Sequence, residues 1–394
     1  MSYLATFCLV SLVLALGVAA VVHVGLPVRA LPPVEGALIG AESDVATDAT
    51  RADLFSGAAR RVVPFQMLYP AGAKGAKAAY VPDAPDLIAA ISRDHGWMAR
   101  LLLGRIGSLD APWTEAATPA SGGPWPVILY LPGVTGYMQM GSFQTSALAA
   151  RGYVVVTLNQ PGAVAVAVLP GDQAVAGMTR ETAAPLIAPS YRAWQGALPP
   201  GFAADLAPEG SIVPYLAADV PLVLDRLAAI NADPAHPLHG LLDLDHVGVM
   251  GMSLGAIVAA EACVLEPRLD ACLMMDAPVP TLVAKTGLRQ AALWISRPAQ
   301  DQRLERAASG GWPEDEIAAQ AATIAEAVAN SDRASVVMAQ GFFHFDFTDL
   351  PAIQPIIGWL GQSGPTGAAE AHRQINQLTS AFFATNLRAA APQP

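Results

Sequence analysis

Residues 246–256 read HVGVMGMSLGA, and they are the most informative stretch of the chain. A Val-rich apolar run leads into Gly251, and Ser253, Gly255 and a helix-prone segment to about Leu265 follow. This is a Gly-x-Ser-x-Gly pattern between a predicted strand and a predicted helix. Glycines suit such a sharp turn because side chains at those positions would clash with the strand and the helix. The pattern therefore predicts a strained turn that presents the Ser253 hydroxyl beside the N-terminus of the following helix.

Strand and helix patterns alternate on both sides of this turn. Continuous apolar runs, such as residues 127–131, are typical of parallel strands that are buried on both faces. The predicted strands cover residues 62–69, 127–131, 153–158, 271–275, 291–296 and 335–340, and the predicted helices cover 82–106, 142–151, 215–230, 297–333 and 368–387. This βαβ alternation predicts a mostly parallel, doubly wound α/β sheet. We assign this domain to residues 62–390.

The N-terminal residues 1–30 have a different character. Residues 4–28 are almost wholly apolar, which is long enough to cross a bilayer, and residues 28–30 (Val-Arg-Ala) form a passable cleavage site. No positively charged segment precedes the run. We expect either an export signal or a single membrane anchor, so that the protein is exported (periplasmic or secreted) or associates with a membrane through residues 4–28.

Two further segments interrupt the alternation. Residues 31–61 contain prolines and scattered charges and are interpreted as a linker. Residues 160–214 are rich in Pro, Gly and Ala with interspersed aromatic residues. A long irregular insertion beside a sheet of this type is usually a substrate-binding loop or a lid, so we predict a lid-like insertion.

Composition excludes several classes of partner. The net charge is −11 and no Lys/Arg cluster occurs, which argues against binding to nucleic acid. Hydrophobic residues make up 53% of the chain and charged residues 14%, against a usual charged share of about 25%, so a large core is expected. Cys8 lies in the leader, and Cys263 and Cys272 are predicted to be two buried thiols rather than a bridge. No residues have metal-ligand spacing, so neither a metal nor another cofactor is expected.

Histidines after Ser253 are candidates for a catalytic base. A serine hydroxyl becomes a good nucleophile when a histidine accepts its proton and a carboxylate orients that histidine. Only His344 and His372 follow Ser253 with an acidic residue between. His344 comes four residues after a predicted strand, which favours it, whereas His372 lies in a polar helix and is interpreted as a surface residue. Five histidines precede Ser253: His23 lies in the apolar N-terminal run and is discounted, and His95, His236, His239 and His246 are interpreted as structural.

The orienting carboxylate has two candidates from the residues alone. Asp276 directly follows the predicted strand 271–275, which comes after the helix that follows the Ser253 turn. It therefore has the better local geometry. Asp301 follows the next strand after five intervening residues, which is the commoner position for such an acid. Asp270 precedes its strand and would lie at the wrong edge of the sheet.

Two motifs resemble the platelet-activating factor acetylhydrolase family (plasma/isoform II type) of α/β-hydrolases. Residues 274–278 (MMDAP) match the Leu-Asp-Ala context of the acid in that family, and residues 341–349 (GFFHFDFTD) fit its Gly-x-x-His-x-x-Phe-x-Asp pattern. The similarity spans roughly residues 62–387. The resemblance implies an α/β-hydrolase fold with Ser253 as nucleophile, His344 as base and Asp276, in preference to Asp301, as acid.

The chain departs from that family at two loops. In the family, the turn that carries the nucleophilic serine usually reads Gly-His-Ser-Phe-Gly-Gly, whereas residues 251–256 here read GMSLGA. Its oxyanion loop is usually His-Gly-Leu-Gly, where residues 132–135 read PGVT. By this correspondence the oxyanion donors are the backbone N–H groups of Val134 and Leu254, which do not depend on the side chains.

The resemblance implies a serine carboxylic-ester hydrolase that cleaves short-acyl esters. The expected substrate is a small-molecule or lipid-like ester, with phospholipid-like esters indicated by the family. One alternative is an esterase of the polyester/cutinase or dienelactone hydrolase type. A second alternative, from another class, is a non-catalytic binding protein with a hydrolase fold. The third is a membrane protein whose soluble part is a scaffold.

Overall fold

A computed structural model describes residues 24–32, 34, 37–193, 199, 202, 206 and 210–387. Its strands are β1 (Leu38–Asp48), β2 (Arg61–Ala71), β3 (Ala76–Ala79), β4 (Asp110–Glu115), β5 (Trp125–Leu131), β6 (Val154–Leu158), β7 (Val166–Leu169), β8 (Gln173–Ala176), β9 (Leu242–Met252), β10 (Leu269–Met275), β11 (Ala291–Ser296) and β12 (Ala334–Met338). Its helices are α1 (Ala84–His95), α2 (Trp97–Leu103), α3 (Ser142–Ala149), α4 (Arg180–Ile187), α5 (Val213–Ala217), α6 (Asp219–Ala232), α7 (Leu254–Leu265), α8 (Thr281–Thr286), α9 (Ala299–Ser309), α10 (Glu314–Ala329), α11 (Leu350–Ile353), α12 (Ile356–Trp359) and α13 (Ala368–Asn386).

The central sheet has ten strands in the order β12-β11-β10-β9-β5-β6-β2-β1-β4-β3. Strands β6, β5, β9, β10, β11 and β12 are parallel neighbours, and β2 is antiparallel to β6. Parallel strands bring their carboxyl ends to one edge, which is where ligands bind in open α/β sheets. The predicted mostly parallel α/β architecture is confirmed.

Both faces of this sheet are covered. In β5, Val127 and Leu129 belong to one apolar cluster, which includes residues of α6 and α7. Ile128 and Tyr130, which alternate with them, belong to a second cluster that includes residues of α3 and α13. Successive side chains of a strand point to opposite faces, so burial on both sides explains why β5 is apolar without alternation.

Strand β1 corrects the prediction of a linker over residues 31–61. It pairs antiparallel with β2 along its whole length, from Leu38 opposite Ala71 to Asp48 opposite Arg61. Its sequence, LIGAESDVATD, includes acidic residues because several of its positions reach solvent, so it lacks the continuous apolar run of the central strands. A smaller difference is that the helix predicted over 82–106 is divided at Gly96 into α1 and α2.

The two cysteines predicted to be buried thiols form a disulfide. Cys263 of α7 is bonded to Cys272 of β10, with 6.6 Å between their Cα atoms, and both residues are buried. Helix α7 leads from β9 to the adjacent strand β10 and packs against it, which brings a late residue of the helix over the middle of that strand. The prediction was wrong because spacing along the chain does not show which side chains face each other across a helix–sheet interface.

The predicted leader lies almost wholly outside the described residues. From Leu26, whose N–H donates to the Leu101 carbonyl at 2.7 Å, the described chain continues to Arg29, whose N–H donates to the Ile353 carbonyl at 2.8 Å. This segment therefore connects the second helix of the domain with α11. None of the helices in the described part of the chain combines the length and the apolar character needed to cross a bilayer.

The described part of the 160–214 segment is attached to the domain by buried polar contacts. The fully buried Arg61 donates to the Pro161 carbonyl at 2.9 Å and to Asp219 at 2.6 Å. Further along the segment, the Tyr191 hydroxyl donates to Glu316 of α10 at 2.7 Å. Most of residues 194–209 lie outside the described residues, and the lid-like function of the segment stays a prediction.

Candidate active site

The turn at Ser253 has the strained geometry that its sequence pattern predicts. Ser253 has φ 56° and ψ −123°, which is a left-handed backbone in a residue that carries a side chain. A Cβ at Gly251 would lie 2.1 Å from the Gly255 carbonyl oxygen, and a Cβ at Gly255 would lie 1.9 Å from the Leu131 carbonyl oxygen. Both approaches are far below van der Waals contact. Glycine is therefore required at both positions for α7 to begin directly over the end of β5.

Three neighbouring parallel strands end in one row beside this turn. Met252 of β9 is opposite Met275 of β10, and Met275 is opposite Ile295 of β11. Ser253 and Asp276 each follow the last of these paired residues, so they stand next to each other at the carboxyl edge. On the other side of Ser253, an added Cβ on Gly133 would lie 3.1 Å from the Ser253 Cβ. The row thus contains the serine, a carboxylate and the loop that follows β5.

His344 meets Asp276 from the loop after β12. The Nδ1 atom of His344 lies 2.6 Å from Oδ2 of Asp276, which is a short, charge-assisted hydrogen bond. The Asp276 side chain is wholly buried and that of His344 is 19% exposed. The ring of Trp312 packs edge-on against the imidazole, with 5.4 Å between the ring centroids. Because Nδ1 is bonded to Asp276, Nε2 of His344 is the ring nitrogen that is available to another partner.

The environment of Asp276 keeps its carboxylate ionised. Burial alone would raise the pKa of Asp276, but the Arg297 guanidinium and the His344 imidazole outweigh burial and hold that pKa below its usual range. Nε of Arg297 is 2.7 Å from Oδ2 of Asp276, and Nε2 of Gln320 donates to Oδ1 at 3.1 Å. Both carboxylate oxygens therefore have polar partners, as a buried charge requires.

Val134 and Leu254 occupy positions suited to oxyanion donors. Leu254 is the first residue of α7, so its N–H has no acceptor within the helix. The loop that holds Val134 is fixed on both sides, because Thr135 N–H donates to the Ala163 carbonyl at 3.0 Å and Gly136 N–H donates to the Gly133 carbonyl at 3.1 Å. Among the residues that the structure describes, neither the Val134 nor the Leu254 N–H makes a backbone hydrogen bond.

Asp301 and His372, the rival candidates, have hydrogen-bond partners other than His344 and Asp276. Oδ2 of Asp301 accepts the Gly341 N–H at 2.8 Å, so this carboxylate holds the backbone of the His344 loop. His372 is buried, with its Nε2 at 2.9 Å from the Thr348 carbonyl oxygen and its ring stacked on Phe143. The expectation that His372 is a surface residue is wrong, because α13 packs that face against α3.

The other residues weighed from the sequence have local partners. His246 Nδ1 is 2.8 Å from Asp243, His239 Nδ1 is 3.0 Å from the Asn231 carbonyl oxygen, and His236 Nε2 is 3.3 Å from Glu42. His95 ends α1. Asp270 accepts the Val247 N–H at 3.1 Å and lies near the amino end of β10, whereas Asp276 follows its carboxyl end.

Several residues of the site carry no sequence signal of their own. Arg297, Glu305, Gln320 and Trp312 surround the His344–Asp276 pair, yet they come from α9, α10 and their flanking loops, which the sequence shows only as a largely helical stretch. Asp349 is the last residue of the histidine motif, and its position in the motif was the available signal. Its buried carboxylate accepts the Ser142 N–H at 2.8 Å and the Tyr80 hydroxyl at 2.7 Å, which links the His344 loop to the start of α3.

No group of three or more His, Cys, Asp or Glu side chains in the described part of the chain is arranged to hold a metal ion.

Comparison with known proteins identifies the fold. No protein-family model matches the chain, and no curated protein matches it significantly. A ferulic acid esterase from Streptomyces cinnamoneus superposes with a TM-score of 0.65 and 22% identity, over 92% of this chain and 94% of that one. A cold-adapted esterase from an Arctic intertidal metagenomic library, in a PEG-bound complex, has a TM-score of 0.38 and 10% identity, over 82% and 94% of the two chains.

This protein has the α/β-hydrolase fold. The sheet order and the likeness to the Streptomyces enzyme agree on it. At 22% identity the likeness extends to the fold and not to the reaction, and it gives no support to the platelet-activating factor acetylhydrolase subfamily in particular.

Proposed function

We propose that the protein is a carboxylic-ester hydrolase with Ser253 as its nucleophile. The observation that carries the proposal is the 2.6 Å contact between His344 Nδ1 and the buried Asp276 carboxylate, at the sheet edge where Ser253 stands in a strained turn. A histidine oriented by a carboxylate and a serine held on a strained turn at the same sheet edge are the parts of an acyl-transfer site.

In this proposal Nε2 of His344 accepts the Ser253 proton as Oγ attacks the ester carbonyl. The resulting oxyanion receives hydrogen bonds from the N–H groups of Val134 and Leu254. His344 then returns the proton to the leaving alcohol, and an acyl-enzyme remains on Ser253. A water molecule, deprotonated by His344, then attacks the acyl carbonyl, and His344 returns that proton to the Ser253 oxygen as the acid is released. Asp276 holds the imidazole in the required tautomer and stabilises its charged form.

Two classes of ester are candidate substrates. The resemblance of residues 274–278 and 341–349 favours short-acyl, phospholipid-like esters. A second candidate is an ester of a ferulate-like acid, the class named for the Streptomyces esterase whose fold this chain shares. Rates on an acetyl ester with a phosphocholine head group, on a methyl ester of ferulic acid and on a simple short-chain alkyl ester would distinguish these classes from a general short-ester or polyester hydrolase.

We also propose that the chain acts outside the cytoplasm, either exported or anchored through residues 4–28. The Cys263–Cys272 disulfide supports an oxidising compartment, since structural disulfides are rare in most reducing cytosols. Fractionation of cells expressing the full chain, with N-terminal sequencing of the mature protein, tests this proposal and determines whether the leader is cleaved.

Labelling with a fluorophosphonate tests the esterase proposal without knowledge of the substrate. Such reagents modify an activated serine, so a stable adduct on Ser253, absent in Ser253→Ala, is the expected result. A folded protein that neither reacts with the reagent nor hydrolyses activated esters would instead indicate a non-catalytic binding protein with this fold.

A further inference from the structure

Four residues form a closed ring that begins and ends at His344. The imidazole Nδ1 contacts Asp276 at 2.6 Å, and Oδ2 of Asp276 is 2.7 Å from Nε of Arg297. Nη1 of Arg297 donates to Oε2 of Glu305 at 2.6 Å. Oε1 of Glu305 accepts the backbone N–H of His344 at 2.9 Å. The same histidine is therefore held by its ring through one carboxylate and by its main chain through the other.

Arg297 is the cation that allows two carboxylates to be buried against one imidazole. Its side chain is wholly buried, as is that of Asp276, and that of Glu305 is 6% exposed. Removing such groups from water is costly unless opposite charges compensate each other. A guanidinium suits this role because it is planar and always charged, and here it donates a hydrogen bond to Glu305 while its Nε forms an ion pair with Asp276. Arg297 follows β11 directly and reaches both carboxylates from that strand end.

The ring also determines the charge that the imidazole experiences. Asp276, Arg297 and Glu305 together carry one net negative charge, so an imidazolium at His344 brings the buried cluster to neutrality. Without Glu305 the three remaining groups would be positive in total when His344 is protonated. Without Arg297 two negative charges would face the imidazole. Each of these losses changes the free energy of forming the imidazolium, and the two changes have opposite signs.

Charged groups on α9, on α10 and in the loop of His344 have hydrogen-bond partners of their own. On α9, Asp301 accepts the Gly341 N–H. In the loop of His344 itself, Asp346 accepts the N–H groups of Phe343 and Gly364. On α10, Glu316 accepts from Tyr191 and pairs with Arg192. Neutral Gln320 and Trp312 complete the surroundings.

We propose that Arg297 and Glu305 are positioning residues that together fix the orientation of His344 and balance its charge during serine attack. The inference rests on the proposed function and extends it, because neither residue belongs to the nucleophile, base and acid. The pair divides the work: Glu305 fixes the main chain of the base, and Arg297 joins Glu305 to the acid.

The experiment measures the second-order rate of fluorophosphonate labelling of Ser253 as a function of pH. Glu305→Gln should move the acid limb of this profile to lower pH by about 0.5–1 unit, because a negative charge near the imidazolium is lost. Arg297→Met should move the limb to higher pH by a similar amount. The double variant restores the net charge of the ring, so its limb should return to within about 0.3 unit of the wild type.

Two further variants separate position from charge. Arg297→Lys keeps the charge but not the planar fork, so the limb should stay in place while the plateau rate falls about 10-fold or more. Glu314→Gln is the matched control, because Glu314 pairs with Arg303 of α9 on the exposed surface. Its profile should match the wild type within about 0.2 unit.

The outcomes distinguish this inference from the proposed function. If the wild type is not labelled, the proposed function fails and the inference fails with it. If the wild type is labelled but Glu305→Gln and Arg297→Lys behave like Glu314→Gln, the ring has only a structural role and the inference is overturned. Should Arg297→Met fail to fold, Glu305→Gln and Arg297→Lys still decide the question.

Discussion

Ser253 and Asp276 directly follow Met252 and Met275, the paired last residues of the neighbouring strands β9 and β10. Both have a left-handed backbone, with φ 56° and 48°. Such a conformation costs on the order of 1–3 kcal/mol in a residue with a side chain. It is maintained by ladder hydrogen bonds that continue past the strand ends, since Ser253 N–H donates to the Met275 carbonyl and Asp276 N–H donates to the Ile295 carbonyl, each at 2.9 Å. Stability and activity should therefore conflict at these two positions.

Replacing Ser253 tests this conflict. Ser253→Ala should lower ester hydrolysis by at least about 10³-fold, because the attacking oxygen is removed and only the oxyanion hole and binding remain. Ser253→Gly should lose as much activity but be more stable than Ser253→Ala by about 1 kcal/mol, because glycine adopts positive φ at little cost. Esterase assays and urea denaturation of the three proteins measure both effects. Near wild-type hydrolysis by either variant would show that another residue is the nucleophile.

The identity of the orienting acid is tested by comparing two asparagine variants. Asp276→Asn should lower kcat by about 10²–10⁴-fold, because an amide cannot hold the productive imidazole tautomer as a carboxylate does. Asp301→Asn should cost less than about 10-fold, since its carboxylate contacts the Gly341 backbone and not the imidazole. The two variants change the same functional group on residues that are both buried. The opposite ranking would place the acid at Asp301 and exclude the present assignment.

The mostly parallel sheet and the neighbouring positions of Ser253 and Asp276 were predictable from the sequence for one physical reason. Parallel strands bring their carboxyl ends to one edge, so residues that directly follow apolar strand patterns, such as Ser253 and Asp276, come together whatever lies between them. Motif spacing located the His344 loop by the same logic. Strand β1 was missed because a half-exposed strand lacks a continuous apolar run.

Contacts made by helices were not predictable in this way. The ring through Arg297 and Glu305 depends on how α9 rotates and where it packs, and a surface-like pattern of Arg, Glu and Gln in α9 gives no sign that some of these residues are buried. The Cys263–Cys272 bond depends likewise on the rotation of α7 over β10. His372 was expected at the surface because α13 is polar overall, although one face of it packs on α3.

The glycines of the elbow should be irreplaceable. Gly255→Ala places a methyl group about where the Leu131 carbonyl oxygen lies, at 1.9 Å, so β5 and α7 must separate. We expect a loss of more than about 3 kcal/mol or no soluble protein. Gly358→Ala is the matched control, because a Cβ there meets open space in α12 and alanine favours helix. Equal thermal stability of the two variants would contradict the tight approach at the elbow.

The Cys263–Cys272 disulfide closes a short loop and should stabilise the folded protein. Cys263 and Cys272 are nine residues apart, and closing a loop of that size stabilises a folded chain by about 2–3 kcal/mol in the chain-entropy model. Replacing both cysteines by alanine should therefore lower the melting temperature while leaving kcat within about twofold, because neither side chain lies at the strand ends that hold Ser253 and Asp276. Thiol titration of the unfolded protein provides the control for oxidation. A wild type whose two thiols are both free after purification without reductant would contradict the bond.

The acid stability of the protein should depend on Asp276. The pKa of this carboxyl is held below its usual value when the chain is folded, mainly by Arg297 and His344 acting against burial, whereas in the unfolded chain it is near the ordinary value of about 3.9. The folded state therefore binds the deprotonated form more tightly. This contribution is fully present above the unfolded-state pKa and is lost as the pH falls toward the lower, folded-state pKa.

The effect of Asp276 on the free energy of unfolding should therefore depend on pH in a measurable way. At pH 7, Asp276→Asn should lower the free energy of unfolding by about 3 kcal/mol, because it breaks a buried ion pair, and the difference from the wild type should shrink as the pH falls below about 4. Urea denaturation at pH 7, 5 and 3.5 measures it. Asp225→Asn is the control, since Asp225 pairs with Arg268 while 70% exposed and should cost at most about 1 kcal/mol. A difference for Asp276→Asn that stays constant or grows toward low pH would show that Asp276 is not ionised in the folded protein at neutral pH, and would remove the charge on which the orientation of His344 depends.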